Sequence, residues 1–329
     1  MRRVMQTEGV YIVSHASVVG REEWRGPHSG AFDLHDESNR FGAETWEKAE
    51  GEMQGMALSL ALKKGGVKES PSLLFAGDLQ NQCMASAHGL LSFGIPFFGL
   101  YGACSTLTEG LVLASSLLAG GLVPDAAVVT SSHTAAAERQ FRLPLEYGGQ
   151  RPPTAQWTAT ASGAYYLSRE RESPVRVTRA MAGRLVDGGI RDAGNMGAAM
   201  APAAAESILT FLRETDSTPS DYDAIVTGDL GFFGSALLRE LLEAEGVPTP
   251  NHLDCGCLLY DREKQDVHAG ASGCGCSAAM LSAFFMPRLE RGEIRRLLFL
   301  STGAIMSPTS VSQGENIFGV APAVLLEHR

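Results

Sequence analysis

Residues 93–121 read FGIPFFGLYGACSTLTEGLVLASSLLAGG, and the fold turns on how this stretch is read. Up to Leu100 it is apolar, aromatic-rich and of strand length; after Cys104 it carries small residues and leucines and stops at Gly120-Gly121. A buried strand, a tight turn and a buried helix are predicted. The hydroxyls of Ser105 and Thr106 are placed to accept free N–H groups of the first helical turn. Cys104 then falls where strand meets helix N-terminus, and the aligned peptide dipoles at that spot favour a thiolate or a bound anion. Gly102 and Ala103 leave room for a ligand to approach the backbone. An inert cysteine in a packed turn is the plain alternative.

Outward from this elbow, strands and helices alternate. Gly9 to Val19 alternates and is rich in valine, which fits a first strand, and the stretch through Asp36 is a loop or lid. Glu44 to Lys64 has helical spacing of Trp46, Met53, Met56 and Leu60 and closes on Gly65-Gly66. A short buried strand from Leu73 to Leu79 carries Gly77-Asp78 at its end. The same events recur: a helix from Met196 to Arg213, then a strand from Ala224 to Leu230 carrying Gly228-Asp229. Gly273-Cys274-Gly275-Cys276-Ser277 before a helical Ala278 to Leu289 echoes Gly102-Ala103-Cys104-Ser105. Two echoes in one order predict a duplicated α/β chain. The charged crossing Ser168 to Pro174 divides it into residues 1–172 and 173–329. Strands alternating with helices imply mostly parallel sheets covered on both faces.

The 329-residue chain is 44% hydrophobic and 19% charged, an ordinary globular composition. A net charge of −10 with no dense Lys/Arg run argues against a general nucleic-acid binder. The opening MRRVMQTEGVYIV has no continuous apolar core, so no export signal is expected. Leu107 to Val123 is interrupted by Glu109, serines and glycines, which makes it a core helix and no membrane span. Six cysteines in a chain of this length do not form a secreted disulfide framework, and a reducing cytoplasm is the expected compartment.

The mirrored halves, the cysteine elbow and the Gly-rich turn resemble the thiolase and ketoacyl-synthase superfamily. The likeness narrows in FAGDLQNQCMASAHG (75–89), GLYGACST (99–106), TSSHTAAAERQFRLPLEYGGQRP (130–152), DAGNMGAAMAPAAAE (192–206), VTGDLG (226–231), QDVHAGASGCGCSAAM (265–280) and STGAIMSPTSVSQGENI (301–317). These segments resemble the stage V sporulation protein AD family of endospore formers over nearly the whole chain. The resemblance implies a thiolase-like fold in an αβαβα layering, a homodimer, and a part in loading dipicolinic acid, with or without calcium, into the developing spore. It also implies membrane-embedded partner subunits of the spore dipicolinate channel and a place on the cytoplasmic side of the sporulating cell, peripheral at the spore inner membrane through those partners.

Turnover in that superfamily needs imidazole or amide donors opposite the nucleophile. By the internal echo the first donor position holds Asp229, and the turn where a ketoacyl synthase has asparagine holds Ala271-Ser272-Gly273. A carboxylate beside a thiol raises the thiol pKa. Non-catalytic binding is therefore expected, with Cys104 on the pocket floor, His133 and Asp229 on its walls, and Ser272 and Cys274 opposite. Arg139, Arg142 and Arg151 cluster near His133; Arg139 and Arg151 are assigned to the ligand, whose carboxylates suit a planar guanidinium fork. The alternative is an acyl transferase or condensing enzyme with Cys104 as nucleophile and His268 as helper. Cys255-Gly-Cys257 and Cys274-Gly-Cys276, with His252 and His268 nearby, form a rival zinc reading, but their one-residue spacing is atypical of zinc knuckles. Asp78 and Asp229 are read as turn or helix caps, no metal ligand is assigned, and no cofactor is expected.

Overall fold

A computed structural model describes residues 3–329. Eleven strands form the main sheet, ten of them in one continuous path and a short one, Leu34–Asp36, paired in parallel with the first; the ten are β1 (Val4–Gly20), β2 (Leu74–Gly77), β3 (Phe97–Leu100), β4 (Asp125–Ser132), β5 (Ala161–Ser168), β6 (Val175–Met181), β7 (Ala224–Thr227), β8 (His252–Asp254), β9 (Arg296–Leu300) and β10 (Ala323–His328). Their spatial order is β8-β7-β9-β10-β6-β1-β5-β4-β2-β3. Read outward from the centre, the first half runs β1, β5, β4, β2, β3 and the second runs β6, β10, β9, β7, β8. The two halves therefore repeat one topology, joined by the antiparallel β1/β6 pair. Each wing has parallel pairs (β2 with β3 and β4, β7 with β8 and β9), and each centre is antiparallel.

Side-chain alternation sets the layers, because successive residues of a strand point to opposite faces. Phe75 and Val128 of the first wing, and Val226 and Phe299 of the second, share one apolar cluster with Leu107, Leu111, Ala278 and Met280. Those last four lie on α2 (Thr106–Ala119) and α6 (Cys274–Met280), which form the central layer between the wings. The opposite faces, Leu74, Ala76, Ala127 and Val129, pack on Met53 and Leu58 of α1 (Trp46–Lys64). Ile225, Leu298 and Leu300 pack on Met200, Ile208 and Phe211 of α4 (Met196–Thr215). Helix, sheet, helices, sheet, helix is the thiolase-like layering. Two further helices, α3 (Thr134–Phe141) and α5 (Gly231–Ala244), complete the frame used below.

Close packing in the central layer explains its glycines. A β-carbon on Gly275 would stand 2.1 Å from the carbonyl oxygen of Ala161, and one on Gly163 would stand 2.5 Å from Ala278 backbone. Strand β3 departs from expectation. Its aromatic run reads as buried, yet Phe97 and Phe98 are exposed, because β3 is the outer edge of its wing. The crossing at residues 169–174 leads from β5 directly to β6.

Candidate functional site

The elbow after β3 is strained and held from several sides. Ala103 has φ +50°, a left-handed conformation that a β-carbon makes costly. Ser105 Oγ donates to the Gly102 carbonyl at 2.7 Å and Thr106 Oγ1 donates to the Ala103 carbonyl at 2.6 Å. Thr106 Oγ1 also accepts the Gly102 N–H at 3.1 Å. The two hydroxyls thus tighten the turn instead of capping α2 as the sequence predicts. From the other half, Gly303 approaches so closely that a β-carbon on it would meet the Gly102 carbonyl at 2.4 Å.

Cys104, 5% exposed, lines a cavity of about 30 Å³ between the two halves. Phe141 and Arg142 at the end of α3 and Met196 at the start of α4 contribute to its lining, with Ser272 and Met306. Arg142 is the one charged side chain in the lining. Cys274 lies behind this surface, packed with Leu79 and Ala137, its thiol donating to the Ser131 carbonyl at 2.8 Å.

Asp229, expected on the pocket wall, is fully buried beyond β7 and stands behind Cys104, outside the cavity lining, from where it acts on the thiol. One carboxyl oxygen accepts from Thr302 Oγ1 at 2.8 Å, the other from the Gly273 N–H at 2.8 Å, and the carboxyl also meets the Cys104 thiol. Burial pushes its pKa up to about 7. Burial, and then the charges of Asp229 and Cys274, raise the Cys104 thiol well above its ordinary range. The helix N-terminus favours the opposite outcome. Complete burial moves a group by up to about 3–5 pH units against roughly one for a helix end, so the protonated thiol prevails.

The histidine rings are engaged elsewhere. His133 is the N-cap of α3: its Nδ1 accepts from the Ala135 N–H and its Nε2 donates to the Asn39 carbonyl at 2.9 Å. Burial lowers its pKa to about 4, so it is a neutral structural cap outside the lining of the Cys104 cavity. His268 bonds the Pro152 carbonyl at 3.0 Å and Asp266 at 2.9 Å. Among the described residues no imidazole hydrogen-bonds to the Cys104 sulfur, with His15 held by Ser282, His252 by Thr227 and His328 by Leu289.

The arginines divide as well. Arg139 pairs with Glu47 at 3.0 Å on the surface, and Arg151 donates to the Asp266 carbonyl while lying over the Trp157 ring. Neither lines the Cys104 cavity, each having found a nearer partner, whereas Arg142 does. Asp78 accepts from the Gln80 N–H and from the N–H and Oγ of Ser86, tying together the turn beyond β2. Cys255, Cys257, Cys274 and Cys276 are all free thiols. Cys257 faces Ser235, and Cys276 faces the Gly228 carbonyl. Among the described residues no three His, Cys, Asp or Glu side chains converge as a metal would require.

Thr302, the residue that anchors Asp229, escaped the sequence reading. It follows β9 in Ser301-Thr302-Gly303, and nothing local to that turn marks its bond to a residue 73 positions away. A larger groove of about 1070 Å³, formed by the end of α4 and the residues before β8, shares no residue with the Cys104 cavity. Among the described residues no helix is long and apolar enough to cross a membrane.

Residues 2–327 match the family described as Stage V sporulation protein AD. The Stage V sporulation protein AD of Bacillus subtilis (strain 168) is 40% identical over 320 residues, which cover 97% of this chain and 94% of that protein. Among solved structures, 3-oxoacyl-[acyl-carrier-protein] synthase III from Aquifex aeolicus VF5 superposes with a TM-score of 0.60 at 14% identity, covering 97% of this chain and 100% of that one. Cerulenin-bound OleA from Xanthomonas campestris gives a TM-score of 0.58 at 14% identity, with 96% of each chain covered. At this identity the structural likeness concerns the fold.

Proposed function

Since the chain belongs to the stage V sporulation protein AD family, we propose that it binds dipicolinic acid, free or as its calcium chelate, in the Cys104 cavity during sporulation and does not transform it. One observation carries the non-catalytic part: among the described residues Asp229 meets the cysteine of the cavity lining, and no imidazole does. A nucleophilic cysteine needs a thiolate, and here burial and a buried acid both oppose it. The binding part is supported by a planar guanidinium, Arg142, in a lining otherwise made of apolar and hydroxyl-bearing side chains. A planar dicarboxylate matches that combination.

The same reading includes a homodimer and delivery to membrane-embedded subunits of the spore dipicolinate channel, with the protein peripheral at the spore inner membrane. The dimer is supported by β3, an edge strand with unpaired backbone groups and exposed Phe97, Phe98 and Tyr101. The competing reading is an acyl transferase with Cys104 as nucleophile, and it draws on the strained elbow at Ala103. Titration with dipicolinate, with and without calcium, set against incubation with a panel of acyl-CoA thioesters separates them. Saturable dipicolinate binding with Cys104 unmodified by mass spectrometry supports the carrier. Acyl-Cys104 formation and turnover support the enzyme.

A further inference from the structure

The cavity is small for the proposed cargo. About 30 Å³ compares with roughly 300 Å³ or more for ordinary small-molecule sites. A ligand can enter only if lining side chains move, and the one charged group among them is already occupied. Arg142 forms a two-pronged pair with Glu138, Nε to Oε2 at 2.8 Å and Nη2 to Oε1 at 2.5 Å. The two residues are one helical turn apart on α3, and Glu138 is buried. This is the geometry in which guanidinium holds a free carboxylate.

We propose that Arg142 is the specificity-determining cation of the Cys104 cavity and that Glu138 is its built-in competitor, displaced from the guanidinium by a ligand carboxylate. The inference rests on reading the cavity as a dicarboxylate site. Arg142 is the last turn of α3 leaving the helix, with φ −134° and ψ −106°, so its side chain can swing without unwinding the element. The swing opens volume beside Phe141 and presents the fork to the cavity in one movement.

Glu138 is not left as a stranded buried charge, which would be strongly unfavourable. Arg151 lies close enough to feel the charges of both Glu138 and Arg142, and its Nη1 is buried with no hydrogen-bond partner. That vacant donor is the replacement for Arg142 on Glu138. Arg151 thereby acts on the ligand without touching it, as a positioning residue that steadies the released acid.

The test is equilibrium calorimetry with dipicolinate on the full chain and its variants, each first checked for folding by thermal melting. Glu138→Gln removes the competitor and should tighten binding about tenfold, the value of one charge-assisted hydrogen bond. Arg142→Gln should weaken it by at least about tenfold, and Arg142→Lys, which keeps charge but loses the fork, should fall between. Arg151→Gln should weaken binding in the parent and lose this effect when combined with Glu138→Gln. Arg139→Gln is the control and should change nothing. If Glu138→Gln fails to fold, Glu138→Asp, whose shorter arm loosens the pair, should tighten binding in smaller measure. Binding by the parent with Glu138→Gln equal or weaker, or with both Arg142 variants like the parent, overturns the inference and leaves the proposed function standing. Binding by Glu138→Gln alone supports it, and absence of binding by both removes the dicarboxylate reading together with the inference.

Discussion

The thiol of Cys104 and the carboxyl of Asp229, brought together from opposite halves of the chain, meet beside the Gly273 N–H. Asp229 suppresses ionisation of the thiol, whose hydrogen bond in turn favours the carboxylate, while burial works against the charged form of both. The first prediction concerns reactivity. Cys104 should resist iodoacetamide at pH 8, where an ordinary cysteine reacts. Asp229→Asn removes the negative neighbour and should speed alkylation at this position by about tenfold, one pH unit of thiol ionisation. Asp229→His should speed it further by supplying a base. Peptide-level mass spectrometry reads the rate at Cys104 separately from the less buried Cys257, and an equally slow Asn variant would show that burial alone silences the thiol.

Asp229 also sets a pH window for the cargo. With its pKa near 7 against an ordinary value of 3.8, the acid is neutral in mildly acidic solution and charged in alkaline solution. Dipicolinate is a dianion throughout this range, so an ionised Asp229 repels it. Affinity should be level below about pH 6 and fall as pH rises through 7, by up to about tenfold per pH unit. In Asp229→Asn the fall should vanish. A parent affinity that stays constant from pH 6 to 8.5 would place the ligand away from this carboxyl.

The pattern of the chain discloses more of the frame than of the site. Asp78 and Asp229, 229 − 78 = 151 residues apart, do follow equivalent strands, β2 and β7. Cys104 and Cys274 do stand at the two helices of the central layer. Such repeats are local features of composition, and topology preserves them. The choice among arginines is different in kind. Arg139 is taken by Glu47, 92 residues away, and Arg151 by Asp266, 115 away, so only tertiary structure leaves Arg142 at the cavity. The same holds for Phe97 and Phe98, whose hydrophobicity says nothing of whether another strand lies beyond them.

That open edge is the basis of the third prediction. Phe98 is 52% exposed and Tyr101 49% exposed, with Leu91, 80% exposed, in the short helical turn that precedes β3. Pairing of β3 with a second copy would cover an edge that otherwise invites uncontrolled association. Light scattering on purified protein should give the mass of a dimer, and Phe98→Asp should give a monomer whose melting is otherwise cooperative. A parent that is monomeric at micromolar concentration rules out this use of the edge.

Glu23 supplies the last prediction, because its burial has a cost that depends on pH. It is 1% exposed, one oxygen accepting the Thr160 N–H at 2.9 Å and the Tyr260 hydroxyl, and burial pushes its pKa from 4.5 to about 7. The folded chain holds this proton more tightly than the unfolded chain. The corresponding stabilisation is complete below about pH 4.5, is lost progressively as pH rises towards 7, and is absent above it. The interval amounts to ~3 kcal/mol at most for a single group. Glu23→Gln keeps an acceptor for Thr160 and Tyr260 but cannot ionise. Denaturant titrations should therefore show the variant gaining on the parent steadily between pH 5 and 7 and holding a constant advantage beyond. A difference that is flat across that interval would mean that Glu23 finds solvent or a cation in the folded protein, and that its carboxylate is not truly desolvated.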